Sequence, residues 1–234
     1  MAAWVQEVQD LFLLGKFAAC IQSGVSALAD GDVWSGNSST APLSQQYLTN
    51  VEWARRVDFA SDAVCPMPFQ VAIVMLQAAF ESDDRPAICL VNPLFNGSAT
   101  IPFIAAKTWI QLHLHYENEA TLPSAGESTA AVAAADGPGL AALKILLTRP
   151  PAKAEPAAQR YKSMVDLFLF DAGLRRRCGA GFVAQATQCV EQLAWLSPAA
   201  KRDLIQKVRK FDADTEAEAE DGRAETAASS SGGG

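Results

Sequence analysis

Histidine is nearly missing from this 234-residue sequence, which has only His113 and His115, and no two cysteines stand at C-x-x-C spacing. Two residues apart, the histidines point to different faces of a helix and cannot share an ion there. On a strand they would share a face, but no Cys or carboxylate sits at zinc-like spacing to complete a site, with Glu117 and Glu119 the nearest acids. The five cysteines, Cys20, Cys65, Cys89, Cys178 and Cys189, are odd in number and scattered along apolar stripes. They read as reduced core residues rather than as a disulfide framework. The sequence also lacks G-x-x-x-x-G-K-[ST], a G-x-G-x-x-G after a strand, and G-x-S-x-G. Without those backbones to cradle a phosphate or present a nucleophile, no catalytic residue and no cofactor is assigned.

Long apolar runs are missing too. The longest near a helix, Phe69 to Phe80, contains Gln70 and Gln77 and falls short of the roughly 18 to 20 apolar residues that span a bilayer. It reads as a buried core helix. The opening MAAWVQEVQDLFLLGK places Glu7 and Asp10 before its first base, Lys16, and is expected to belong to the folded domain rather than to a secretory or transit signal. Half the residues are apolar. The expectation is a folded, soluble, intracellular chain able to bury a core without disulfides.

What the sequence does have is helical periodicity. Tyr161, Met164, Val165, Phe168, Leu169 and Ala172 recur at i, i+3, i+4, i+7, i+8 and i+11, which lines six side chains along one face. Gly179 and Gly181 release that helix, and Phe182, Ala186, Cys189, Val190 and Leu193 repeat the pattern. Ser197 offers an N-cap, Pro198 suits the first turn because its missing N–H is not needed there, and Leu204, Ile205, Val208 and Phe211 form a third stripe. Near the N-terminus, Trp4, Val8, Leu11 and Phe12, then Phe17, Cys20, Ile21, Gly24, Val25 and Leu28, are separated by Gly15-Lys16. So short a break predicts an αα-hairpin, the unit that tetratricopeptide-like arrays stack.

Further helices are expected over 48–59, from Phe69 to the Ser82-Asp83-Asp84 stop, from Pro86 to a break near Asn92 forced by Pro93, and from Pro102 to about Tyr116. A short helix is expected near 128–135 in the Ala-rich middle, and another over 140–147. Together these predict an all-α fold, an irregular tetratricopeptide-like array of antiparallel hairpins over residues 1–211, with a Pro-rich internal boundary near 149–158. Residues 212–234 have no apolar side chain larger than alanine and are expected to form a disordered acidic tail.

Charge is zoned. Residues 1–148 hold 6 Lys/Arg against 14 Asp/Glu, residues 149–211 hold 12 against 5, and residues 212–234 hold 1 against 7. In the basic zone, Arg175, Arg176 and Arg177 close one helix while Lys201, Arg202, Lys207, Arg209 and Lys210 decorate the last. Three readings stand: a solvated helix face, a surface for an acidic protein partner, or a surface for an anionic membrane. Nucleic acid is not expected, because no groove-reading motif accompanies the charge.

The order of these segments resembles a known family. DLFLLGKFAACIQSGVSALAD, QVAIVMLQAAFESDDR leading to NPLFNGSATIPFIAAKTWIQLHL, and YKSMVDLFLFDAGLRR with ATQCVEQLAWLSPAAKRDLIQKVRKF are similar to the plant and algal aberrant peroxisome morphology 9 family, over residues 5–211. The closest points are the turn from Phe95 to Pro102 and the ending from Leu196. The resemblance implies a non-enzymatic helical adaptor on the cytosolic face of the peroxisomal membrane. Such an adaptor tethers the AAA-type ATPase that extracts the import receptor. It also implies a hydrophobic anchor, which these 234 residues do not contain; the expectation is either that an anchor follows them or that another protein recruits the chain. A general helical-repeat scaffold unconnected with peroxisomes would share every physical feature named above, and a small helical enzyme would need clustered ionisable groups in a cleft.

Because Phe168 lies mid-stripe, Phe168→Ala is expected to leave a cavity costing on the order of 3 to 5 kcal/mol. Urea unfolding measures this, and an unchanged midpoint would place the stripe in solvent.

Overall fold

The computed structural model describes residues 3–30, 51–61, 64–120, 137–148, 157–172, 181–193 and 196–230, and they are predominantly helical. They fall into two compact units, residues 1–167 and 168–234. Of the segments anticipated from sequence, the helix near 128–135, the ending at Arg175 to Arg177 and residues 149–156 of the expected boundary lie outside the described residues. No described helix is long and apolar enough to cross a membrane.

In the first unit, α1 (Ala3–Leu13) and α2 (Phe17–Asp30) form the anticipated hairpin. The turn is made by Gly15 at φ +68°, a left-handed conformation that costs glycine nothing. The Cys20 thiol donates to Val8 O at 3.4 Å and Ser23 Oγ lies 3.3 Å from Glu7 Oε1, so partners descend in α1 as they ascend in α2. The helices are therefore antiparallel. α3 (Met67–Glu81) packs on α2 at Gly24, where an added Cβ would lie 2.5 Å from Met75 Sδ and 3.3 Å from Val71 Cγ1. Gly24 is there for close approach, as its place on the predicted stripe requires.

The stretch expected as a helix over 48–59 is corrected. Its described part is a 3₁₀ turn (Glu52–Arg56) followed by β1 (Val57–Asp58), which pairs in parallel with β2 (Ile101–Pro102), Val57 opposite Ile101 and Asp58 opposite Pro102. Buried Trp53, Ala54, Val57 and Phe59 satisfy the core without a helical stripe, and β-branched Val57 and Ile101 suit the bridge. After α3, α4 (Arg85–Ile88), a 3₁₀ turn (Cys89–Val91) and α5 (Asn92–Gly97) replace one continuous helix, with the break before Pro93 as its ring demands. Asp84 caps α4, its carboxylate accepting from Ala87 N at 3.2 Å. Two longer helices follow, α6 (Phe103–Ala120) and α7 (Pro138–Leu147), and then α8 (Ala157–Asp166).

The core of this unit is aromatic. Trp53 meets Phe95 and Trp109 edge to face at 4.8 and 5.0 Å, and Phe69 meets Phe95 at 5.6 Å. Trp109 Nε1 donates to Asn92 Oδ1 at 2.9 Å, and Asn92 is the one buried polar side chain among the described residues. Two arginines act as clamps. Arg56 donates to the carbonyls of Phe95 and Asn96, both at 3.1 Å, satisfying the end of α5, and Arg160 of α8 donates to Phe59 O at 3.0 Å and Ser61 O at 2.7 Å. Beside Arg160, buried Tyr161 donates its hydroxyl to Leu147 O.

The stripe from Tyr161 to Ala172 is buried at all six positions. Its helix changes character at Leu167–Asp171, which is π-helical, and the division between the units falls inside that segment. In the second unit, α9 (Phe182–Gln192) and α10 (Pro198–Ser230) pack through buried Phe182, Ala186, Val190, Leu204 and Val208. Phe211 adds ring contacts to Phe170 at 5.3 Å and Phe182 at 6.0 Å. Ser197 caps α10 as expected, accepting from Ala200 N at 3.2 Å. The helix does not end at Phe211 but continues to Ser230, through most of the stretch in which a tail is expected; residues 231–234 lie outside the described residues. Alanine and glutamate, which dominate DADTEAEAEDGRAETAA, are strong helix formers and can extend an existing helix without burying anything.

Of eight side chains expected in the core, Ile21, Phe168 and Val190 are buried, Trp4, Phe12, Phe17 and Ile73 are half-buried, and Phe80 is 41% exposed. Asn92→Leu is expected to strand the Trp109 N–H in an apolar core and destabilise by about 1 to 3 kcal/mol. Chemical denaturation of that variant beside Asn92→Asp, which keeps an acceptor, separates the hydrogen bond from side-chain shape.

Candidate functional site

α6 sends its two histidines to different places, as their spacing required. The His113 ring lies 3.8 Å from that of Trp109, whereas His115 meets Phe80 of α3 and Tyr116, each at 5.2 Å. His113 Nε2 has no solvent contact and no hydrogen-bond partner among the described residues. Burial lowers its pKa from 6.5 to about 4, so the imidazole is neutral near pH 7. One turn on, the Glu117 carboxylate accepts from Gly139 N at 2.6 Å and Leu140 N at 3.4 Å. A carboxylate from one helix thus caps the N-terminus of the next, where exposed amides and the helix dipole both favour an anion. Gly139 permits it, because a Cβ there would lie 2.8 Å from His113 Cβ.

These half-buried groups join α6 to α7. Among the described residues, no group of three His, Cys, Asp or Glu is arranged to hold a metal ion. Burial raises the Cys20 thiol to about 11 and also raises Cys65 and Cys89, so those thiols stay protonated at neutral pH and are poor nucleophiles.

Two features stand out on the surface of the first unit. Phe80, exposed His115 and half-buried Tyr116 form an aromatic patch, with the Arg85 guanidinium 4.7 Å from the Tyr116 ring centre. Tyr and Arg are the side chains that dominate protein interfaces. Periodicity does not reveal this patch, because Phe80 lies on a helical repeat and reads as core, and because Arg85 follows a helix stop. The α1–α2 turn also leaves Leu13 at 79% and Leu14 at 67% exposed. A run of four apolar residues, Leu11 to Leu14, exceeds one helical face and signals this in the sequence.

Of the eight basic residues singled out by composition, Arg175, Arg176 and Arg177 lie outside the described residues. The other five are together on the first half of α10. Lys201 is half-buried, and its Nζ donates to Glu191 O at 2.6 Å, tying the start of α10 to the end of α9. Arg202, Lys207, Arg209 and Lys210 are exposed. The structure therefore assigns Lys201 a local contact and leaves four cations facing solvent beside an apolar stripe turned inward.

No protein-family model matches this chain, and no curated protein and no solved structure matches it.

The pH dependence follows from His113. Its folded pKa lies below its unfolded value, so the unfolded chain takes up the proton first, and the stability present above about pH 6.5 is lost as pH falls toward 4. Between pH 6.5 and 5, before most carboxylates titrate, the wild-type chain is expected to lose roughly 1.5 kcal/mol more than His113→Leu. Urea midpoints at the two pH values measure it, and parallel losses would show that His113 is not the titrating group.

Proposed function

We propose that this chain is an adaptor that works by binding rather than by turnover, its helical hairpins stacked in a tetratricopeptide-like manner, and that its partner is the peroxisomal AAA-type ATPase. The observation that supports binding most directly is the cationic surface of α10. Arg202, Lys207, Arg209 and Lys210 project to solvent, while Leu204 and Val208 hold the helix from the other side. A helix so fixed presents charge without having to order itself on contact, which lowers the entropic cost of association. The ATPase as partner, and the cytosolic face of the peroxisomal membrane as location, rest on the resemblance of residues 5–211 to the aberrant peroxisome morphology 9 family. In this reading the chain raises the local concentration of the ATPase beside the import machinery, and contact with an anionic membrane is a second use of the same cations.

The Phe80, His115, Tyr116 and Arg85 patch favours a second reading, a general helical scaffold whose partner meets the first unit. Pull-down separates the two. Wild-type chain, a variant with Arg175, Arg176, Arg177, Arg202, Arg209 and Lys210 changed to Glu, and a control with the exposed Arg55 and Lys162 changed to Glu are each presented to the purified ATPase. Capture by wild type and control, lost in the first variant and weakened by salt, is the expected result. No capture by wild type would defeat the tether. Capture unaffected by either variant but lost in Phe80→Ala/Tyr116→Ala would move the contact to the aromatic patch.

A further inference from the structure

The end of the α1–α2 hairpin is apolar where a turn between helices is ordinarily polar. Leu13, Leu14, Ala18 and Ala19 are exposed, and the half-buried rings of Phe12 and Phe17 meet across the turn at 5.7 Å. Lys16 is exposed among these side chains and is the only charged residue between Asp10 and Asp30 in the sequence. Asp10, which accepts from Gln6 Nε2 at 2.8 Å, stands one turn before Leu14, about 6 Å back along α1.

The backbone of this turn is closed on itself. Gly15 N donates to Phe12 O and Lys16 N to Leu11 O, both at 2.9 Å, and Leu14 N donates to Asp10 O at 3.0 Å. With Gly15 at φ +68°, these are the bonds by which a left-handed residue ends a helix and satisfies its last carbonyls. The three amides therefore need no water, and the tip can enter an apolar medium without stranding them.

A protein partner fits the tip poorly. The two leucines expose a few hundred Å² at most, short of the roughly 800 Å² a side that a stable protein interface buries, and leucine is under-represented among the residues that dominate such interfaces. A bilayer sets no such requirement of area. An apolar projection enters the boundary between headgroups and acyl chains by as little as about 5 Å, and a neighbouring cation adds attraction to anionic lipid. At that depth Asp10 stays among the headgroups.

We propose that Leu13 and Leu14 form a lipid-contacting wedge, inserted at the headgroup–acyl boundary of an anionic bilayer with Lys16 on the lipid phosphates at its rim. The lysine stem can lie along apolar surface while its ammonium stays among the headgroups. Two leucines bury less than one acyl chain does, so the contact is reversible. The wedge is a different site from the cations of α10, and it does not depend on the ATPase as partner.

Flotation of the full chain with vesicles of phosphatidylcholine and phosphatidylserine tests this. Against wild type, L13S/L14S is expected to need at least about tenfold more lipid for half binding and K16E roughly fivefold more. L14W, which places an interfacial aromatic at the tip, should need less, and R202E/R209E/K210E should still float. Both leucines are exposed, so circular dichroism should show wild-type helix content in L13S/L14S. A wild-type chain that stays unbound overturns the proposal. So does L13S/L14S floating as wild type does while R202E/R209E/K210E does not, which would assign the lipid contact to α10. Capture of the ATPase without lipid should be unchanged in L13S/L14S, so the wedge and the tether fail separately.

Discussion

The hydrogen bond from Trp109 to Asn92 is the constraint around which the first unit is arranged. Burying an indole N–H without an acceptor is costly, so the short α5 must begin where its first residue can supply Oδ1. Pro93, immediately after, sets that start by ending the preceding 3₁₀ turn. With Trp109 fixed, its ring meets Trp53 edge to face at 5.0 Å and lies 3.8 Å from that of His113. His113 in turn borders Gly139, and Glu117 reaches the amides that open α7. One polar contact in an apolar centre thereby aligns the 3₁₀ turn, α5, α6 and α7.

Charge works differently in the two units. In the first, arginines are used singly and locally. Arg56 and Arg160 each satisfy two backbone carbonyls. Two ion pairs between described residues, Arg55 with Glu52 and Arg85 with Asp83, are exposed and contribute little. In the second unit, the cations of α10 are displayed rather than spent on local carbonyls, Lys201 excepted. Its fold is held by Phe182, Val190, Leu204 and Val208 and can tolerate changes on its outer surface.

The helices of this chain were legible wherever an apolar stripe ran uninterrupted. Tyr161 to Ala172 shows this best, since spacing alone named six residues and all six are buried, even though the helix turns π midway. The stripe reading failed at Phe80, because periodicity says which residues share a face and not whether another element covers it. It failed over 52–58, where a 3₁₀ turn and a parallel bridge bury Trp53 and Val57 by a pairing partner more than forty residues away in sequence. How far α10 runs was not legible, because apolar spacing stops at Phe211 whereas Ala and Glu need no burial to prolong a helix already nucleated. As for the surface, composition located the cations of α10. It could not show that Arg202 and Arg209 share one line with Ala213 and Glu216 while Lys207 stands aside, because that depends on which face Leu204 and Val208 turn inward.

The two bonds of Arg160 bear on how the chain reaches this state. They join residues 101 and 99 positions apart, so forming them closes a loop through nearly half the sequence. Closing so long a loop loses chain entropy before any contact compensates, whereas the α1–α2 hairpin brings Val8 and Cys20 together over 12 residues. Docking of α8 onto the carbonyls of Phe59 and Ser61 is therefore a late event in folding. Weakening Arg160 should act mainly on how fast the first unit comes apart, leaving the rate at which its early hairpin assembles almost unchanged.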